Sequence, residues 1–275
     1  MKLHTLLLTS IATLALATVT SAQTTIQVDF DVNFAQTGTG FAPLAGVFHD
    51  GSFNSFTPGT MASAGLEALA EIGNPSAFLA EAQATAPTAN VGSTAGQTGG
   101  SGRPTSRSFL VDVDNSNTEF SFAAMFLPSN DWFTANQGGA SENISALLFG
   151  AAPGTSITID LDTIYDAGTE LEDFTRGGGT GPDPFGLAPR LSDADGGDPN
   201  DQNDNISLVN RTAGVNLFDN FVNPNGEPID RFLGASEFSL GTITLTTVAA
   251  VPEPSTLVLT IMMGSIAAVR RRRSC

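Results

Sequence analysis

Cysteine is almost absent from this sequence of 275 residues, and the only one is Cys275 at the last position. The body of the chain therefore has no thiol. This absence excludes a disulfide framework, a zinc site with thiolate ligands and a cysteine nucleophile.

Histidine is also scarce, since the chain has only His4 and His49. His4 lies in a leader segment that we expect to be removed, so a Ser-His-Asp triad would have to use His49. No G-x-S-x-G motif or other nucleophile motif accompanies it. We expect His49 to have a structural role, and we predict that the protein is not an enzyme and has no catalytic residue.

Basic residues are few as well. The chain has 11 lysines and arginines against 28 aspartates and glutamates, which gives a formal net charge of −17. Lys2 is the only lysine, and the arginines outside the C-terminal cluster are scattered singly. Nucleic acid is therefore not an expected partner. An acidic chain is compatible with binding of divalent cations such as calcium. It is equally compatible with a role of the charge in solubility alone.

Neither end of the chain has an apolar run of the roughly 20 residues that span a bilayer. At the N-terminus, Lys2 precedes an apolar stretch at 6–19, which is followed by small residues at 20–22. This pattern is typical of a cleaved signal peptide. We predict a signal peptide at residues 1–22 and export of the mature chain across the inner membrane.

The C-terminus combines turn residues, a short apolar run at 256–269 and four arginines at 270–273. The arginines would hold the end of the run on the cytoplasmic side of the membrane. We predict a short transmembrane helix that pauses the exported chain there.

The motif Val251, Pro252, Glu253 and Pro254, followed by this run and the arginines, resembles the PEP-CTERM sorting signal of Gram-negative bacteria. The resemblance implies that residues 251–275 are recognised by an exosortase that cuts near the motif, much as a GPI signal is removed. It also implies a cell-surface or extracellular protein of a bacterium that builds exopolysaccharide. The membrane would be contacted only through the sorting helix, and transiently.

Five segments between the two ends alternate apolar and polar residues, which is the period of half-buried strands. They are TTIQVDFDVNF, FLVDV, EFSFAAMFL, SITIDLDTI and SLGTITLTTV. One region has apolar residues at helical spacing from Leu66 to Ile72, with a stop signal at Gly73 and a second start at Asn74. We predict a mainly β protein, in which residues 23–250 form an antiparallel β-sandwich with a small helical insertion.

Two sets of acidic residues are expected to be exposed to solvent. Glu67 and Glu71 lie four residues apart on one face of the first predicted helix. The stretch SDADGGDPNDQND resembles an EF-hand loop only superficially, because Gly197 takes the fifth ligand position and no glutamate closes the loop. We interpret it as an acidic surface loop, for which weak calcium attraction stays open.

Three blocks of sequence together resemble the spondin N-terminal domain, the module at the start of F-spondin and mindin. They are GVFHDGSFNSFTPGTMASAGLEALAEIGNPSAF, FLPSNDWF and IYDAGTELED, in this order. The resemblance extends over about 26–248. It implies a calcium-binding β-sandwich that acts in extracellular adhesion and has no enzymatic activity.

The candidate calcium ligands are Asp131, Asp166 and Glu170. Asp166 ends a predicted strand, and the turn after it can fold Glu170 back toward it. Antiparallel pairing could bring the loop of Asp131 to the same end of the sandwich, and carboxylates are ligands that calcium prefers. The family often has an aspartate where this chain has Glu170. Alternatively, Asp131 and Asp166 are turn residues that bond their own backbone.

Two other functions stay open at this point. A hydrolase of exopolysaccharide would use two carboxylates as acid and base, but the sequence singles out no such pair. A passive structural protein of the extracellular matrix would bind no specific ligand. We favour an adhesion protein whose partner is an exopolysaccharide or a surface protein.

Overall fold

The computed structural model describes residues 23–33, 40–99, 103–127, 129–170, 202–209 and 239–248, with two short backbone segments at 176–177 and 188–189. The predicted signal peptide, the sorting tail and most of the acidic loop lie outside these residues.

Most of the described strands are short, and five of them have six residues or more. In chain order they are β1 (Gln23–Val32), β2 (Gly40–Phe41), β3 (Ala45–His49), β4 (Asn90–Ser93), β5 (Ser106–Asp114), β6 (Glu119–Leu127), β7 (Trp132–Ala135), β8 (Glu142–Asn143), β9 (Ser156–Leu161), β10 (Tyr165–Asp166), β11 (Arg176–Gly177), β12 (Ala188–Pro189), β13 (Ser207–Leu208) and β14 (Gly241–Thr247). The helices are α1 (Ala64–Ile72), α2 (Pro75–Thr85) and α3 (Ser145–Leu148), with a 3-10 turn at Gln137–Gly139.

Two antiparallel sheets contain nearly all of these strands. The smaller sheet has the strand order β5, β1, β14, β9. The larger one has the order β13, β10, β7, β6, β3, β4, and β2 and β8 also pair with β6. Only the small pair of β11 and β12 is parallel among the described strands. The prediction of a mainly β, antiparallel fold is confirmed.

Two hydrophobic clusters show that the molecule has three layers. The first lies between the two sheets and includes Val28, Phe30, Phe48, Phe126 and Ile243. The second lies between the larger sheet and the helices and includes Val47, Leu69, Phe78, Phe133 and Tyr165. Successive residues of a strand point to opposite faces. The larger sheet is therefore buried on both faces.

Local signals in the sequence explain the two longer helices. Ser63 caps α1, because its hydroxyl accepts from the backbone N–H of Leu66 at 3.3 Å. Gly73 ends α1 in the left-handed conformation, with φ of 65°. Asn74 then caps α2 by accepting from the N–H of Ser76 at 3.0 Å. The predicted stop and restart of the helical region are confirmed.

The structure corrects three details of the predicted elements. β6 does not alternate, because all but its first residue are buried. β9 ends at Leu161, earlier than the segment SITIDLDTI indicated. Glu71 is buried and only 2% exposed, so the face that it shares with Glu67 is not simply solvated. α1 packs against β6 and β7 of the larger sheet and against α2, and the spacing of the two glutamates could not reveal which of them these contacts bury.

Candidate functional site

The two loops that carry the predicted ligands lie at the same end of the larger sheet. β7 and β10 pair in an antiparallel register that places Asp166 opposite Trp132. Asp131 immediately precedes β7, and the turn at 167–170 immediately follows β10. The backbone N–H of Ala167 donates to the carbonyl oxygen of Asp131 at 3.3 Å. Strand pairing therefore brings Asp131 beside the turn that starts at Asp166.

The carboxylate of Asp131 is completely buried and connects the two loops. Its Oδ2 accepts from the backbone N–H of Thr169 at 3.0 Å and from that of Glu170 at 3.1 Å. Asp131 thus bonds the backbone of the neighbouring loop. This differs from the alternative in which it would only stabilise its own turn.

Asp166 is a turn residue that bonds its own backbone, as the alternative interpretation of the sequence predicted. It is half-buried, and its Oδ1 accepts from the N–H of Gly168 at 2.7 Å, which is an Asx turn. Gly168 has a φ of 69°, and a Cβ there would lie 2.8 Å from the carbonyl oxygen of Asp204. The turn therefore requires glycine both for its backbone conformation and for its close approach to a neighbouring segment.

Two further oxygen-bearing side chains in this turn are buried. Glu170 is 3% exposed and Thr169 is 7% exposed. The Oγ1 of Thr169 is enclosed and has no hydrogen-bond partner in the described part of the chain. Asp131, Thr169 and Glu170 are thus three buried residues with oxygen-bearing side chains, joined by the hydrogen bonds from the N–H groups of Thr169 and Glu170 to Asp131. We call these three residues the buried oxygen cluster.

The buried oxygen cluster fits calcium in the type of its donors but not in the number of its carboxylates. Calcium takes oxygen ligands from carboxylates, hydroxyls, carbonyls and water. Nowhere in the described ranges do three or more side chains of histidine, cysteine, aspartate or glutamate gather as a group that could hold a metal ion. An ion here would therefore need ligands other than carboxylates as well.

The end of the acidic stretch packs against the same turn, which the sequence analysis did not anticipate. The N–H of Gln202 donates to the carbonyl of Thr169 at 2.7 Å, and that of Asp204 donates to the carbonyl of Gly168 at 2.8 Å. Asp204 itself is exposed. The contact joins segments far apart in the chain, and no local pattern in the sequence indicates it.

His49 is buried and uses both ring nitrogens within the protein. The N–H of Gly51 donates to Nδ1 at 3.1 Å, and Nε2 lies 3.0 Å from the hydroxyl of Ser121. Because Nδ1 accepts, the proton is on Nε2, which donates to Ser121. Burial lowers the pKa of His49, and the charges of Glu119 and Asp50 oppose this shift. These contacts agree with a structural role.

No helix in the described part of the chain combines the length and the apolar character needed to cross a bilayer. The predicted sorting helix at 256–269 falls outside that part. It stays a prediction.

Comparison with protein families gives two matches. The family described as Spondin_N matches residues 17–172, which is more than half of the chain and includes Asp131, Asp166 and Glu170. The PEP-CTERM protein-sorting motif matches residues 250–273. Both resemblances predicted from the sequence are confirmed, although the first match ends well before residue 248. A comparison with curated proteins finds no match.

Proposed function

Because the chain belongs to the Spondin_N family and carries the PEP-CTERM signal of exported, surface-sorted proteins, we propose that it is a calcium-binding adhesion protein of the cell surface or extracellular matrix. An exosortase would process it near Val251, Pro252, Glu253 and Pro254. Its partner would be an exopolysaccharide or a surface protein. The proposal includes no enzymatic activity.

The buried oxygen cluster is the observation that carries the calcium part of this proposal. Burying a carboxylate costs several kcal/mol unless hydrogen bonds or a positive charge compensate for it. Here Asp131 and Glu170 are both buried and are joined by a hydrogen bond, and the hydroxyl of Thr169 has no hydrogen-bond partner among the described residues.

Asp131 and Glu170 would hold the ion, with the hydroxyl of Thr169 as a neutral ligand and with backbone carbonyls or water completing the shell. The carboxylate of Asp166 closes its own turn and would not be needed as a third carboxylate ligand. Calcium supplies positive charge and orders the loops that bind it. Asp131 already joins the two loops through the N–H groups of Thr169 and Glu170. The ion would make that junction rigid, which suits a surface that presents loops to a partner.

Calcium should raise the thermal unfolding midpoint of the exported chain, which is taken as residues 23–250. The Asp131→Asn variant should not show this rise. At a calcium concentration about 100 times the dissociation constant, a specific site adds about 2.7 kcal/mol to the free energy of unfolding. Differential scanning calorimetry in calcium and in chelator measures the shift. Asp112→Asn is the matched control, because Asp112 is an exposed carboxylate in the other sheet.

The expected result is a rise in the wild type and in Asp112→Asn only. An equal rise in Asp131→Asn would place the ion elsewhere, and no rise in the wild type would overturn the calcium proposal. The same samples immobilised on beads should retain exopolysaccharide or surface protein from the producing bacterium. Beads that retain nothing, with calcium present, would favour a passive matrix protein.

A further inference from the structure

A second feature outside the buried oxygen cluster is a cavity of about 190 Å³ beside the start of α1. Its wall is formed by the loop that precedes α1, by Leu66 of α1, by Glu81 of α2 and by Ile206. The backbone of the 202–209 segment closes one side, because the N–H of Ile206 donates to the carbonyl of Thr60 at 2.8 Å.

Ser55 lines this cavity and has an unsatisfied hydroxyl. The residue is 4% exposed, and its Oγ makes no hydrogen bond to any residue that the structure describes. Leaving a buried hydroxyl without a partner costs free energy, which a group entering the cavity would recover. A serine side chain has three staggered positions, and a change from one position to another can turn the hydroxyl toward such a group.

The carboxylate of Glu81 also lines the cavity, at a fixed position. Its Oε2 accepts from the backbone N–H of Gly65 at 2.9 Å, across the contact between α1 and α2. A Cβ at residue 65 would lie 2.5 Å from that oxygen and 3.0 Å from Cα of Phe78, so a larger residue there would displace the carboxylate from this position. The hydrogen bond orients the carboxylate before any ligand arrives.

The other polar groups of the wall supply both donors and acceptors. The hydroxyl of Ser63 accepts from Leu66 and keeps its own proton to donate. The hydroxyl of Thr60 donates to the carbonyl of Thr57 at 2.8 Å and keeps lone pairs to accept. Asn54 adds an amide, which does both.

Apolar groups form the rest of the wall. Phe56, Leu66 and Ile206 are buried there, and Met61 is 57% exposed at the rim. The described residues of the lining include no lysine or arginine, so an anionic group such as phosphate would meet no compensating charge from them. Dispersed donors and acceptors beside an apolar wall match a molecule with hydroxyl groups on its edge and C–H groups on its faces.

We propose that this cavity binds one neutral sugar unit of a polysaccharide, with Ser55 and Glu81 contacting its hydroxyl groups. The proposal rests on the adhesive function, for which it names the class of ligand, but it does not depend on calcium.

The test is a titration of the exported, isotope-labelled chain with the methyl glycosides of glucose, galactose and mannose, followed by amide NMR shifts. At least one glycoside should give saturable shifts of the amides of Ser55, Gly65 and Glu81. Ser55→Ala and Glu81→Gln should each weaken binding about tenfold. Ser108→Ala, which changes an exposed serine of β5, should bind as the wild type does.

The Ser55→Ala variant also separates binding from stability. Because the hydroxyl of Ser55 has no hydrogen-bond partner among the described residues, its removal should not lower the unfolding midpoint, whereas removal of a structural hydroxyl would lower it. If none of the three glycosides causes a shift, the proposal is overturned. Ethanolamine is titrated as a further probe, and shifts with ethanolamine alone would indicate an amine site and would also overturn the proposal. Retention of exopolysaccharide by beads without any glycoside shift would overturn this inference while leaving the adhesive function in place.

Discussion

At the scale of single residues, His49 shows how burial selects one protonation state. Its Nδ1 accepts from Gly51 and its Nε2 donates to Ser121, so the neutral ring satisfies both neighbours. A second proton on Nδ1 would break the bond to Gly51 and would place a charge among buried groups. The pKa of His49 is accordingly lowered by burial, against the charges of Glu119 and Asp50.

We therefore expect the protein to lose stability as the pH falls below about 6.5, the pKa of an unfolded histidine. The unfolded chain takes up the proton first, because the folded pKa is lower, so acid favours unfolding. The stabilising contribution is complete above about pH 6.5 and is lost as the pH falls toward the folded pKa. Urea midpoints at about pH 7.5 and about pH 5.5 measure the loss.

His49→Gln is the control for this effect, since glutamine offers an acceptor and a donor without titrating in this range. The variant should show a smaller decrease of the urea midpoint between the two pH values. An equal decrease in the variant and the wild type would assign the effect to other groups. Asp50, which has a pKa lowered mainly by hydrogen bonds from Ser52, titrates at lower pH and does not contribute in this window.

At the scale of elements, a pair of glycines lets β5 approach the edge of the larger sheet. Gly46 of β3 pairs with Gly92 of β4, and the ring of Phe109 lies over both. A Cβ at residue 92 would be 2.5 Å from Cε2 of Phe109, and one at residue 46 would be 2.9 Å from its Cζ. The aromatic ring fills the space that the two glycines leave, and this joins the two sheets along one side.

Gly92→Ala should therefore lower the free energy of unfolding by about 1–3 kcal/mol, because the added methyl group overlaps a packed ring. Chemical denaturation measures the change. Combining Gly92→Ala with Phe109→Leu should recover part of the loss relative to the sum of the single variants, since the two positions are in contact. Ser93→Ala on the same strand is the control for a change without overlap. If the Gly92→Ala variant has the same free energy of unfolding as the wild type, this account of the contact is contradicted.

At the scale of the whole molecule, the smaller sheet depends on a strand from the far end of the chain. β14 lies between β1 and β9 and pairs with both. Ile243 and Leu245 on this strand are fully buried in the cluster between the sheets. The Spondin_N match ends at residue 172 and does not include this strand. The matched region by itself therefore lacks one of the two central strands of this sheet.

A chain that ends at residue 172 should fail to fold cooperatively, whereas a chain that ends at residue 250 should fold. Without β14, both β1 and β9 lose a partner, and apolar residues of the inter-sheet cluster are exposed to water. Circular dichroism and thermal unfolding of the two truncated chains compare them directly. A cooperative transition in the shorter chain would show that β14 is dispensable.

The sequence alone determined those features that depend on neighbouring residues. The caps at Ser63 and Asn74 and the stop at Gly73 act within one turn, so the helices could be predicted to within a few residues. The alternation in β1 and β14 follows from a sheet that is buried on one face. The sorting motif is likewise local, and its match confirms it.

Tertiary structure decided the features that join distant parts of the chain. β6 is buried on both faces because helices cover the sheet, which removes the period that identifies a half-buried strand. The sequence placed Asp131 and Glu170 among the candidates, but the burial of both and their link through a hydrogen bond follow from the pairing of β7 with β10. Asp204 reaches the same turn by contacts that no local period encodes. Local spacing specifies the elements, whereas the packing of distant elements decides which polar groups are buried together.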